Sequence, residues 1–266
     1  MQVLPFAFLA IAFYLGAGSW QSLVLLRRVP ARPALVRGLG LLAVACHTVV
    51  VASTLRELGE VSLGISASAS LISWLVAILL VLTSFIKPVL SAAAGLFPVA
   101  ALTIVLATEL PVGSHPAGLT PGIMVHVLTS ILAFALFAIA AVQAMLLARQ
   151  NQALRRHHTR GLVQSLPPLT AMERLLFELI WAGMILLTVS LISGMLFIDN
   201  MFAQHLVHKT VLSLAAWVIF AALLAGRHFF GWRGARAARW TLGGCLLLLL
   251  AYFGSKFAIE VVFHDV

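Results

Sequence analysis

The chain has 266 residues, 62% of them hydrophobic and only 9% charged, with a mean hydropathy of +1.09. That composition excludes a water-soluble domain, in which about a quarter of residues are charged. The formal charge of +9 sits in short clusters between apolar runs, the pattern of membrane loops rather than of a nucleic-acid surface, so no nucleic-acid partner is expected.

In chain order, runs long enough to cross roughly 30 Å of hydrocarbon are expected at 3–26, 35–55, 67–86, 89–108, 123–147, 176–197, 206–226 and 240–262. The first has no basic residue before it, is longer than a signal-peptide core and is followed by Arg27 and Arg28, so it reads as a retained span. The runs are continuous rather than alternating, which selects helices over a barrel. The expected architecture is an all-α, polytopic membrane protein with eight transmembrane helices in a single domain covering 1–266. The longest connection, "RQNQALRRHHTRGLVQSLPPLTAMER", is basic and broken by Pro167 and Pro168, so it reads as a loop with one short interfacial helix, with His157 and His158 solvated.

Lysine and arginine orient the spans. One set of connections carries fourteen, from Arg27 to Arg239, and the opposite set carries Arg56, Lys209 and Lys256. The asymmetry places both termini outside and the arginine-rich connections in the cytoplasm. Cys46 and Cys245 both lie inside apolar runs, which leaves no disulfide framework and no CxxC motif.

With this topology six of the nine histidines, His47, His115, His126, His205, His208 and His264, face the outer half of the membrane. His47, in "LLAVACHTVVVAS", is roughly 12 Å deep at 1.5 Å per residue, and an ionisable group at that depth is a functional candidate by default. His126 and His208 begin their spans at matching depth. Two imidazoles from facing helices can take the axial positions of a haem iron, which makes His126 and His208 the expected axial pair and His47 an alternative or second-site ligand. Taken singly, a histidine near a helix end, such as His126 or His208, reads more readily as an interfacial hydrogen-bonding residue than as a ligand, and His47 differs by its depth. Together the three could also hold a small copper or zinc ion.

Lys209 and Arg56 are cations able to pair with a haem propionate, although Lys209 can also simply snorkel to the headgroups. Lys256 and Glu260, four residues apart, neutralise each other. Trp74 and Trp217 lie inside spans, where a flat ring could line a porphyrin cleft or serve ordinary packing. No charged group sits at mid-bilayer as an ion relay needs, and P-loop, HExxH and GxSxG patterns are missing. No enzymatic activity is expected.

The segments "HKTVLSLAAW" and "GWRGARAARWTLGGCLLLLLAYFGSKFAIE", with "CHTVVVAS", "ASLISWL" and "MVHVLTSILAFALFAIAAVQAMLL" before them, resemble the YpjD/HemX-type branch of the CcsA/CcmC cytochrome c assembly family over nearly the whole chain. The resemblance implies a bacterial inner-membrane protein that handles b-type haem, with His47 as an intramembrane ligand, His126 as the first external histidine and a membrane protein as possible partner. It also shows departures. The tryptophan-rich signature of cytochrome c synthases is replaced by "DNMFAQHLVHKT", the second intramembrane histidine falls on Ala225, and His264 lies near the second external one. The expected function is binding or relay of haem. The alternative is a non-catalytic accessory subunit, supporting a transporter or regulating haem synthesis, with structural histidines.

Overall fold

Apolar side chains do not satisfy backbone amides, so a long apolar run in lipid must pair each N–H within its own segment. The computed structural model, which describes residues 3–57, 64–109, 120–157, 162–197 and 207–254, follows that rule throughout. Its helices are α1 Leu4–Leu25, α2 Pro33–Glu57, α3 Ile65–Ser84, α4 Ala93–Glu109, α5 Pro121–Arg155, α6 Leu162–Ser165, α7 Leu169–Phe197, α8 Val207–Phe230 and α9 Gly234–Leu249. A short 3-10 turn, Leu90–Ala92, leads into α4, and α9 widens into a π-helical turn, Leu250–Gly254. Eight of these segments are long and apolar enough to cross a membrane, and no strand occurs among the described residues.

The helix ends follow local chemistry. Thr120 caps α5 by accepting a hydrogen bond from the Ile123 amide at 3.4 Å, with Pro121 at the first helical position. At the other end of α1, Arg28 N–H reaches the Leu23 carbonyl and Arg27 N–H the Val24 carbonyl, both at 2.9 Å. This Schellman closure requires a left-handed residue, which here is Arg27 with φ of 58°. Its guanidinium is held by Gln164 of α6.

The expected long loop at 149–174 is corrected by the structure: α5 continues to Arg155 and α7 begins at Leu169. At 1.5 Å per residue the 35 residues of α5 extend about 52 Å, well beyond the hydrocarbon core. The polar extension stays helical because it is packed. Gln150 is buried and donates to the Pro167 carbonyl at 2.9 Å, while Met172 and Leu176 are buried on α7. Only the four-residue α6 answers to the expected interfacial helix.

The helices pack in two groups joined through α3. In one, α1 lies against α2 and α4, and α3 against α2 and α4; in the other, α5 lies against α7 and α9, and α8 against α7 and α9; α3 also contacts α5. The second group is locked by Phe137 of α5 and Phe220 of α8, stacked with centroids 4.0 Å apart and planes 13° off parallel. Both rings are fully buried. Gly183 and Gly244 face these rings so closely that a Cβ would lie 2.9 Å from Phe137 and 2.6 Å from Phe220. Large apolar side chains such as Phe8, Ile86 and Leu196 remain exposed on the outside, as a lipid-facing surface requires.

Candidate functional site at the histidine-bearing end of the second helix group

His126 lies in the second turn of α5, opposite the last turns of α7. Its Nδ1 is 2.7 Å from the Ser190 carbonyl oxygen. A carbonyl can only accept, so Nδ1 carries the proton and Nε2 carries the lone pair. Neighbouring hydroxyls hold the imidazole in place: Ser130 Oγ donates to the His126 carbonyl at 2.7 Å and lies 2.6 Å from Ser190 Oγ, and Ser193 Oγ donates to the Ser190 carbonyl at 3.0 Å. A hydrogen bond from one ring nitrogen to a carbonyl is the arrangement that orients a metal-ligating histidine and leaves the other nitrogen for the metal.

This imidazole opens onto a cavity of about 110 Å³ enclosed by α3, α5, α7, α8 and the end of α9. Phe134, Leu187, Leu191 and Leu248 form much of its wall, while Ser130, Ser190, Lys209, Thr210, Ser213 and Tyr252 supply polar atoms. Lys209 comes from the first turn of α8, with its ammonium 5.2 Å from the centroid of the Tyr252 ring. That ring is carried by the π-helical turn, a wider turn that recurs at functional sites. Among the described residues no carboxylate pairs with Lys209.

The other expected ligands are placed elsewhere. His208 precedes Lys209 by one residue, a rotation of about 100° on a helix, so while Lys209 faces the cavity His208 is exposed and does not line it. His126 and His208 therefore do not line the same cavity. His47 is fully buried in the first helix group. Its Nδ1 is 3.3 Å from Tyr14 Oη and its Nε2 is 2.9 Å from Ser70 Oγ, so both nitrogens already have partners. The Tyr14 ring meets it edge-on at 5.8 Å. Among the described residues no group of three or more His, Cys, Asp or Glu could hold a metal ion, which removes the small copper or zinc site for His47, His126 and His208. His115, His158, His205, His264, the Lys256–Glu260 pair and the Arg56 side chain lie outside the described residues.

Both tryptophans tie neighbouring helices rather than face the cavity. Trp74 Nε1 of α3 donates to Thr48 Oγ1 of α2, and Trp217 Nε1 of α8 donates to Thr188 Oγ1 of α7, each at 2.9 Å. Ser130, Ser190, Ser213 and Tyr252 were not expected at the site. The pairs His126/Ser130 and Lys209/Ser213, each spaced i,i+4 in otherwise apolar helices, are the signal that marks one polar stripe per helix.

Residues 35–263 match the family described as cytochrome C assembly protein. The inner membrane protein YpjD of Escherichia coli strain K12 is 36% identical over 143 residues, 54% of this chain and 54% of that protein, and the YpjD of the O157:H7 strain matches equally. An uncharacterized 28.8 kDa protein of Azospirillum brasilense is 36% identical over 149 residues, 54% of this chain and 55% of that protein. The chain thus matches about half the length of these curated relatives. No solved structure matches. The eight apolar helices and the inner-membrane relatives identify a multi-pass inner-membrane protein. With 35–263 covered, the chain belongs to the cytochrome c assembly protein family.

Proposed function

We propose that the protein binds or relays b-type haem without transforming it chemically, with His126 Nε2 as the atom that would hold the iron and Lys209 as the partner that would meet a propionate. The observation that carries this reading is the bond from His126 Nδ1 to the Ser190 carbonyl, which leaves the other ring nitrogen unprotonated on a residue that lines a mostly apolar cavity together with a cation that has no described carboxylate. The excess of arginine and lysine at the opposite end supports a periplasmic position for this site, with both termini on that side, as part of the proposal. Family membership favours haem as the cargo.

The donor set fits haem: a neutral imidazole of fixed tautomer, an ammonium, and apolar walls. The cavity's volume of about 110 Å³ is smaller than the roughly 300–1,000 Å³ of small-molecule sites, so a whole porphyrin would need more room than the cavity has in this structure. When bound, the haem supplies a redox-active iron. The chain's own part is to hold the imidazole by the Ser190 carbonyl, to place the ammonium one helix away and to exclude water with Phe134, Leu187 and Leu248. His208, turned away from the cavity, has no part in ligation.

Haem titration of the detergent-purified protein, followed at the Soret band, tests the reading. Wild type acquires the band, His126→Ala loses affinity by at least about tenfold, the scale for disrupting a metal site, and His208→Ala titrates as wild type. A supplemented wild type with no Soret band, or a His126→Ala variant that binds normally, overturns it.

A further inference from the structure

A second ligand-shaped feature lies at the arginine-rich end, away from the His126 cavity. α4 and α5 are successive in the chain but barely touch, and α3 takes the place beside α5 instead. Where they diverge, a groove of about 500 Å³ runs along α5 from Val142 to Gln152, with Ala94 and Gly95 of α4 on one side and Leu242 of α9 on the other. Small side chains keep it open. A Cβ on Gly95 would come only to 3.8 Å from Val142 Cγ1, an ordinary contact, so packing does not demand the glycine.

The groove is apolar along its length and cationic at one end. Arg149 lines it, is exposed, and has no carboxylate partner among the described residues. Gln152 lies beside it one turn on, and exposed Arg239 precedes Leu242 by one turn of α9. Ser91 also lines the groove. It is 93% buried, and its Oγ has no hydrogen-bond partner, although buried hydroxyls are normally paired. A groove with mostly apolar walls and a guanidinium at one end calls for a molecule that is a hydrocarbon chain over most of its length and an anion at its head.

We propose that the α4–α5 groove binds an anionic phospholipid, with one acyl chain along Val142–Leu146 and Gly95 and the phosphate on Arg149. Basic pockets between transmembrane helices recognise such headgroups through charge-assisted hydrogen bonds. The site is independent of the haem reading and stands or falls separately from it.

Native mass spectrometry of the detergent-solubilised full chain, titrated with phosphatidylglycerol or phosphatidylcholine of matched chains, tests it. Wild type retains phosphatidylglycerol at least about fivefold better, the ratio that a single basic residue near a membrane surface supplies. Arg149→Gln removes that preference, Gly95→Leu fills the groove and displaces both lipids, and Arg28→Gln, outside the groove, behaves as wild type. Equal retention of the two lipids by wild type, an Arg149→Gln variant that keeps the preference, or a Gly95→Leu variant that keeps the lipid overturns the proposal. Arg149→Gln changes only an exposed side chain, so it decides the matter even if Gly95→Leu does not fold.

Discussion

At the scale of single residues, the chemistry rests on which neighbour each polar side chain meets. His126 keeps one nitrogen bare because a backbone carbonyl can only accept its proton. His47 keeps none bare, because Tyr14 and Ser70 take both. His47→Ala is therefore expected to leave haem binding unchanged while lowering stability by about 2–4 kcal/mol, from the cavity left and the hydroxyls orphaned; haem titration and thermal unfolding read the two effects separately. Lys209→Gln is expected to weaken haem binding by about 1.5–3 kcal/mol, the range for hydrogen bonds to charged groups, whereas Lys209→Arg restores most of it. Equal affinities for wild type and Lys209→Gln would show that the ammonium serves only the headgroup region. His126 and Lys209 were legible in the sequence as polar groups starting apolar runs. The outward turn of His208 was not, because depth along a span carries no information on the direction a side chain points.

Among the helices, the ends of α1 to α4 followed from hydropathy to within a few residues, while the extended ends of α5 and α7 and the early start of α9 did not. α5 and α7 extend past their apolar runs because Gln150, Met172 and the Pro167 carbonyl pack the extension, a tertiary effect that a hydropathy window cannot register. α5 then closes at His157, which adopts φ of 56°, a left-handed conformation that costs a non-glycine residue about 1–2 kcal/mol. Because glycine brings its own entropic cost, His157→Gly is expected to stabilise by somewhat less, about 0.5–1 kcal/mol, seen as a small rise in Tm. At the centre of the second group, Gly244→Val must push Phe220 off its stack with Phe137, since the nearest ring atom is 2.6 Å from the new Cβ. Overpacking of this kind costs about 1–3 kcal/mol, and a lowered Tm is the expected result. An unchanged Tm would mean that the stack can slide.

The whole molecule is two helix groups that bury different polar constellations. The first encloses Tyr14, His47 and Ser70 with both imidazole nitrogens bonded; the second surrounds the cavity that His126 and Lys209 share. On the proposed orientation, topology reporters fused at Pro30 and at Arg233 are expected to report the cytoplasmic side. Activity of both on the periplasmic side would reverse the orientation and move the His126 cavity to the other face. One ion network, in which Glu178 of α7 meets Lys87 at 2.8 Å and Arg174 at 3.0 Å, ties the connection before α4 to α7. Its partly exposed pairs contribute little to stability.

The amino-acid order by itself determined that this chain is helical and that it carries eight segments long and apolar enough to cross a membrane, because hydrocarbon thickness and backbone hydrogen bonding leave an apolar run no other choice. It also marked His47, His126 and Lys209 as exceptions to the apolar background. Tertiary structure alone decided which exceptions meet. A helix fixes the depth of a side chain through its 1.5 Å rise, but its rotation is set by the neighbours it packs against, and that rotation turned Lys209 toward His126, His208 away from it and His47 into a closed set of hydrogen bonds in another part of the protein.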